Sequence, residues 1–168
     1  MTGDVRTKVQ RGKRADDAYG PRLLRRLELA RTGVSLLVAE DEPQADDGFR
    51  IAASIRAGLS AKFWLELRRL GLTSPELAAV IGVSEKTISR KQHGREPLDV
   101  VEGDRTLRIT HLVLEAAHAF GDLGKALRWL RKPNRALGGE SPLDLAVTEP
   151  GTALVRRALG VVEYGGVA

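Results

Sequence analysis

Few residues in this chain are of a type that does covalent or metal chemistry. There are three histidines, His93, His111 and His118, and no cysteine. His111 and His118 are seven residues apart and share a helical face, whereas a helical metal pair sits three or four apart. Without cysteine there is no thiolate metal site, disulfide or sulfur nucleophile. No serine lies in the glycine frame of a nucleophile elbow. Gly138–Gly139 follows a helical pattern, not a strand, and is a poor phosphate cradle. We therefore assign no catalytic residue, no metal ligand and no cofactor, and read the chain as a non-enzyme.

The chemistry that remains is recognition by charge and shape. Between Thr73 and Arg95 the order of residues is that of a helix-turn-helix. Thr73 can cap a helix over Ser74–Ile81, and Glu76 three residues later completes a capping box. Pro75 falls in the first turn, where its missing N–H costs little. Leu77 and Ile81 point inward, and Ala78 is small enough for a second helix to approach. Gly82 supplies the positive φ of a tight turn. Ser84 caps a helix from Glu85 to about Lys91, with Ile88 on its inner face. That helix exposes Glu85, Lys86, Thr87, Ser89 and Arg90, whose leading residues could meet base edges in a major groove. Arg90, Lys91 and Arg95 are placed for phosphates. Such modules usually act as dimers on two-fold sites, so a homodimer is expected. The same two helices could also merely pack, or form a dimer interface.

Other elements must position this pair. Residues 1–20 are polar and carry Arg6, Lys8, Arg11, Lys13 and Arg14; they read as a flexible arm, either solvated or touching DNA phosphates. Leu23, Leu24, Leu27 and Ala30 give a helix over 22–31. Val34–Ala39 fits a strand or another helical turn, and Glu40–Gly48 reads as an acidic loop holding Pro43. From Leu59 the pattern is continuously helical. It predicts helices over Ala61–Leu70, about Glu102–Phe120, Leu123–Arg131, Ser141–Val147 and Pro150–Tyr164, with a loop over Pro133–Glu140.

The chain of 168 residues is 42% hydrophobic but only 4% aromatic, so its core is aliphatic and suits packed helices. The fold class is all-α. The net charge of +5 favours an anionic partner. No apolar run is long enough to span a membrane and no leader pattern opens the chain, so a cytoplasmic protein is expected.

A resemblance to a known family adds to this. Residues 125–166 read KALRWLRKPNRALGGESPLDLAVTEPGTALVRRALGVVEYGG. Ala126, Trp129–Leu130, Pro133–Asn134, Leu137–Gly138–Gly139, Ser141–Pro142–Leu143, Thr148, Gly151, Val155, Leu159, Tyr164 and Gly165 recur there in order, after Phe120–Gly121–Asp122. This segment resembles the Xre/MbcA/ParS-type antitoxins, and the helix-turn-helix sits where that family has its own. The resemblance covers about residues 54–166. After an N-terminal arm and segment (1–53) that it does not reach, it implies a helix-turn-helix domain (54–121) and a toxin-binding domain (122–168). It implies a RES-domain toxin as partner, one that degrades NAD or transfers ADP-ribose. The antitoxin would cover the toxin's NAD pocket and, bound to operator DNA, repress its own operon.

The residues are compatible with this. Trp129 is either a core anchor or a binding hot spot. Pro133, Asn134, Gly138 and Gly139 read as architecture that aims the last helices. Leu154, Leu159 and Val162 supply apolar positions on the last helix, and Arg156, Arg157 and Glu163 supply charge. Tyr164, Gly165 and Gly166 could thread into a cleft. The expected contact set is Arg156, Arg157, Leu159, Glu163, Tyr164 and Gly165. A stand-alone DNA-binding regulator, or a purely structural helical adaptor, stays open on the residues alone.

Overall fold

The computed structural model describes Leu23, Arg25, Arg26 and residues 47–163, the side chains of Asp47, Arg50 and Glu163 aside. The expected basic arm, the segment 27–46 and the residues from Tyr164 onward lie outside the described residues. Among the described residues the architecture is helical, without a β-strand. The elements are α1 (Asp47–Ala57), α2 (Lys62–Leu70), α3 (Ser74–Ile81), α4 (Glu85–Gly94), α5 (Val100–Phe120), α6 (Leu123–Arg131), a 3-10 turn (Arg135–Leu137), α7 (Pro142–Leu145) and α8 (Glu149–Glu163).

Two expectations need correction. Gly48 was read as the end of an acidic loop, yet α1 already covers it, and α1 as a whole precedes the start expected at Leu59. Its Ile51 and Ile55, one turn apart, pack against the core, and Ala52, Ala53 and Ala57 favour the helix. α4 also runs one turn beyond Lys91, to Gly94.

α5 is the organising element. It touches α1, α2, α3, α6 and α8. Asp99 and Glu102 form a capping box at its start, with Asp99 Oδ1 accepting from the Glu102 N–H at 2.9 Å and Glu102 Oε2 accepting from the Asp99 N–H at 2.9 Å. Leu107, Ile109, Leu112, Val113, Ala116 and Ala117 are all nearly devoid of solvent. Trp64 on α2 is fully buried, and its indole N–H donates to Thr106 Oγ1 at 2.7 Å. A buried indole is thereby satisfied rather than left with an orphan donor.

One hydrophobic cluster runs from Leu23 to Leu159 and takes in residues on both sides of the boundary expected at residue 121. Leu23 itself is helical and 2% exposed. Trp129 is half-buried, its ring tilted against Phe120 with centroids 5.6 Å apart. Asn134 is buried, and its Oδ1 accepts from the Ala136 N–H at 2.9 Å, which starts the 3-10 turn.

α8 lies alongside α5 and runs in the same direction. Arg108 pairs with Glu149, and Arg156 with Glu115, each pair separated by 41 residues in the chain. The constant offset is what two parallel helices produce. Gly151 makes the entry to α8 possible, because a Cβ there would sit 2.0 Å from the Leu145 carbonyl oxygen.

Candidate functional site

The first site is built by caps. Thr73 Oγ1 accepts from the Glu76 N–H at 3.3 Å, and Glu76 Oε2 accepts from the Thr73 N–H at 2.7 Å. α3 ends at Gly82, whose φ of +76° lies in the left-handed region, and the Arg105 guanidinium closes over this turn by donating to the Ile81 carbonyl at 2.8 Å. Ser84 Oγ accepts from the Thr87 N–H at 3.1 Å and opens α4. Ile88 seats the helix, at 1% exposure.

Of the six residues expected at DNA, the structure leaves four well exposed: Lys86, Ser89, Arg90 and Arg95. Arg90 is paired with Glu96. Arg95 is the residue that ends α4 in a left-handed conformation, φ 52°. Thr87 is half-buried, and its Oγ1 lies 2.9 Å from Ser84 Oγ within the cap. Lys91 departs from the expected phosphate contact. It is buried, its ammonium is paired with Glu102, and it donates to the Pro97 carbonyl at 3.3 Å. Lys91 follows Ile88 by three residues and so shares its inward face. The signal was present in the sequence, in that spacing and in the acid at the head of α5.

A clamp ties this site to the rest of the chain. Arg131, the last residue of α6, donates to Glu76 from Nε (2.6 Å) and Nη2 (2.9 Å), and from Nη2 to the Gly71 carbonyl at 2.7 Å. These bonds hold the Glu76 carboxyl down at about 2 from an ordinary 4.5.

The second site is the outer side of α8. Arg157 is exposed, and Arg156 is half-buried against Glu115, Nε to Oε2 at 3.0 Å. Leu159 departs from the expected exposed contact: it is 4% exposed and belongs to the core with Val155 and Ala158. Glu163 ends α8, its side chain outside the described set, and Tyr164 and Gly165 lie outside the described residues. The apolar residues that α8 does present are Leu154 (44% exposed) and Val161 (48%), seven apart with Arg157 between them. Val147 (37%) stands seven residues earlier. Sequence reasoning missed Val161, although the sevenfold spacing could have found it. Beside this face a shallow groove of about 290 Å³ lies between α5 and α8, lined by Glu115, His118, Ala119, Arg156, Leu159 and Gly160. Deeper along α5, burial and then the charges of Arg156 and Arg26 push His111 down to about 4.

Among the described residues no group of three or more histidines and acids is placed to hold a metal ion, and no helix is long and apolar enough to cross a membrane.

A capped helix-turn-helix is joined through one shared helix to a small helical bundle. Residues 50–110 match the antitoxin Xre-like helix-turn-helix domain, and residues 115–165 match the antitoxin Xre/MbcA/ParS C-terminal toxin-binding domain. The chain belongs to the Xre/MbcA/ParS antitoxin family. It is 32% identical over 126 residues to the antitoxin Xre of Pseudomonas putida, covering 74% of this chain and 78% of that protein. It is 30% identical over 97 residues to a Prs ADP-ribosylating antitoxin of Sphingobium sp., covering 52% of this chain and 61% of the relative. Antitoxin Xre of Yersinia enterocolitica is 26% identical over 120 residues, covering 71% and 78%.

Proposed function

We propose that this antitoxin neutralises a RES-type toxin that consumes NAD or transfers ADP-ribose, by laying α8 and the residues after it over the toxin's substrate pocket. Acting in the cytoplasm as a homodimer within the toxin–antitoxin complex, it docks α4 on operator DNA and represses its own operon. The observation that carries the reading is the outward face of α8. Leu154 and Val161 leave apolar surface in water on either side of Arg157, inside the segment that matches a toxin-binding domain. Covering that surface removes apolar area from water, at about 25 cal/mol per Å². A guanidinium between two apolar anchors can pair with a pocket carboxylate. The relative named for ADP-ribosylation supports the choice of chemistry.

The test is co-expression with the product of the adjacent gene, then co-purification and an NAD-consumption assay. The expected result is a stable complex, with NAD loss when this chain is absent, when Tyr164–Ala168 are deleted, or when Leu154 and Val161 are both changed to Asp. DNA binding without any complex would leave a stand-alone regulator as the account.

A further inference from the structure

The helix that clamps the helix-turn-helix is itself strongly basic. From Lys125 to Arg135 the chain reads KALRWLRKPNR, with five cations and no acid in eleven residues. Lys125, Arg128, Arg131, Lys132 and Arg135 are all exposed. Among the described residues, Arg131 alone of the five is held in an ion pair. Cations in the last turn of a helix offset the partial negative charge of its C-terminus, which accounts for Arg128 and Arg131. Lys125, Lys132 and Arg135 lie outside that turn. With Arg131 offset by Glu76, four like charges remain close along the chain, and an anionic partner would relieve their repulsion.

Position says which partner. Arg131 holds Glu76 and the Gly71 carbonyl, so the end of α6 is anchored beside the N-terminus of α3. Leu127 packs there as well, its Cδ1 3.0 Å from where a Cβ on Gly71 would stand. In a docked helix-turn-helix the second helix enters the major groove while the first crosses the sugar-phosphate backbone. The end of α6, with Arg131 and its neighbour Lys132, therefore stands beside the helix that would meet the backbone.

We propose that Lys125, Arg128, Lys132 and Arg135 form a second phosphate-binding strip, which extends the DNA-contacting face from the helix-turn-helix onto the toxin-binding domain. The inference rests on the reading of α4 as a DNA-docking helix. The strip adds affinity without reading sequence, because phosphates are alike at every base pair.

The test uses the full chain and two fluorescent duplexes of about 40 bp, roughly four helical turns. One is taken from directly upstream of the coding sequence and the other is scrambled. Binding is titrated over a range of salt for the wild type, for Arg128→Gln/Lys132→Gln/Arg135→Gln, and for Lys86→Ala/Arg90→Ala. The triple variant is expected to bind both duplexes roughly tenfold more weakly, with a log–log salt slope shallower by about 2–3, near 0.9 per lost contact. The α4 variant is expected to lose its preference for the upstream duplex. Should the triple variant melt early, Lys125→Gln and Lys132→Gln singly carry the test, each lowering the slope by about one. Unchanged affinity and slope in these variants, while the wild type binds, overturns the strip and leaves α4 standing. No duplex binding by the wild type overturns the α4 reading and the strip with it. Lost toxin co-purification with intact duplex binding gives the strip to the protein partner and overturns the proposal.

Discussion

The two faces of this antitoxin are held in place by different physics. α4 is a short, polar helix seated by Ile88 and the buried Lys91–Glu102 pair, and framed by side-chain caps at Thr73, Ser84 and Asp99. α8 is longer and lies on α5 through Val155, Ala158 and Leu159, with the pairs Arg108–Glu149 and Arg156–Glu115 alongside. Polar seating is directional, so α4 has one orientation that satisfies its bonds. Apolar seating is not directional, and α8 is located by shape. The base readout proposed for α4 needs the former, whereas the partner contact proposed for α8 can use the latter.

Four measurements bear on this contrast. The largest effect is expected at Glu102. Glu102→Ala strands the Lys91 ammonium in a buried site and should lower unfolding stability by about 3–5 kcal/mol in denaturant titration. The double change Lys91→Met/Glu102→Leu should recover most of it. A loss below 1 kcal/mol in the single variant would mean that α4 is seated by packing alone. On the α8 side, Gly151→Ala should cost roughly 1–3 kcal/mol, since its Cβ meets backbone and not a yielding side chain. Neutralisation should weaken with it while duplex binding is kept.

Acid separates the regions by pH. His111 is held neutral in the fold, so the unfolded chain binds its proton first, and stability should fall as pH drops from about 6.5 to 4. Glu76 has a depressed folded pKa, so its contribution is present above about 4.5 and is lost as pH falls toward 2. Arg131→Met should flatten the lower window and His111→Gln the upper, in stability measured against pH. The smallest effect belongs to Arg156→Ala. Its pair with Glu115 is over a third exposed on both sides and should contribute about 0–1 kcal/mol. A loss well above that in thermal unfolding would show that polar bonds also locate α8.

The caps of the helix-turn-helix were legible because each depends on residue type at a fixed local spacing: Thr73 with Glu76, Gly82, Ser84. α6 was legible from its helical spacing and from Pro133 just past its end. What could not be read locally was set by distant partners. α1 has helix-forming alanines, but its inner face became clear only once Ile51 and Ile55 were seen to find the core. Lys91 looked like a surface cation until Glu102 was placed opposite it. Leu159 looked available until α5 was laid alongside. At both candidate sites the misplaced residue lies on the inner side of its helix, where the choice between core and surface depends on another element.

α5 also fixes a distance. The buried pair at Glu102 marks where α4 meets it, and His118 marks the groove beside α8. Sixteen residues of helix at 1.5 Å each separate them, about 24 Å. This helix works as a ruler between the seat of α4 and the groove beside α8. An inserted turn would lengthen it by about 5.4 Å. Such an insertion would also draw Arg131 away from Glu76 and the Gly71 carbonyl, so the clamp enforces the spacing that the helix sets.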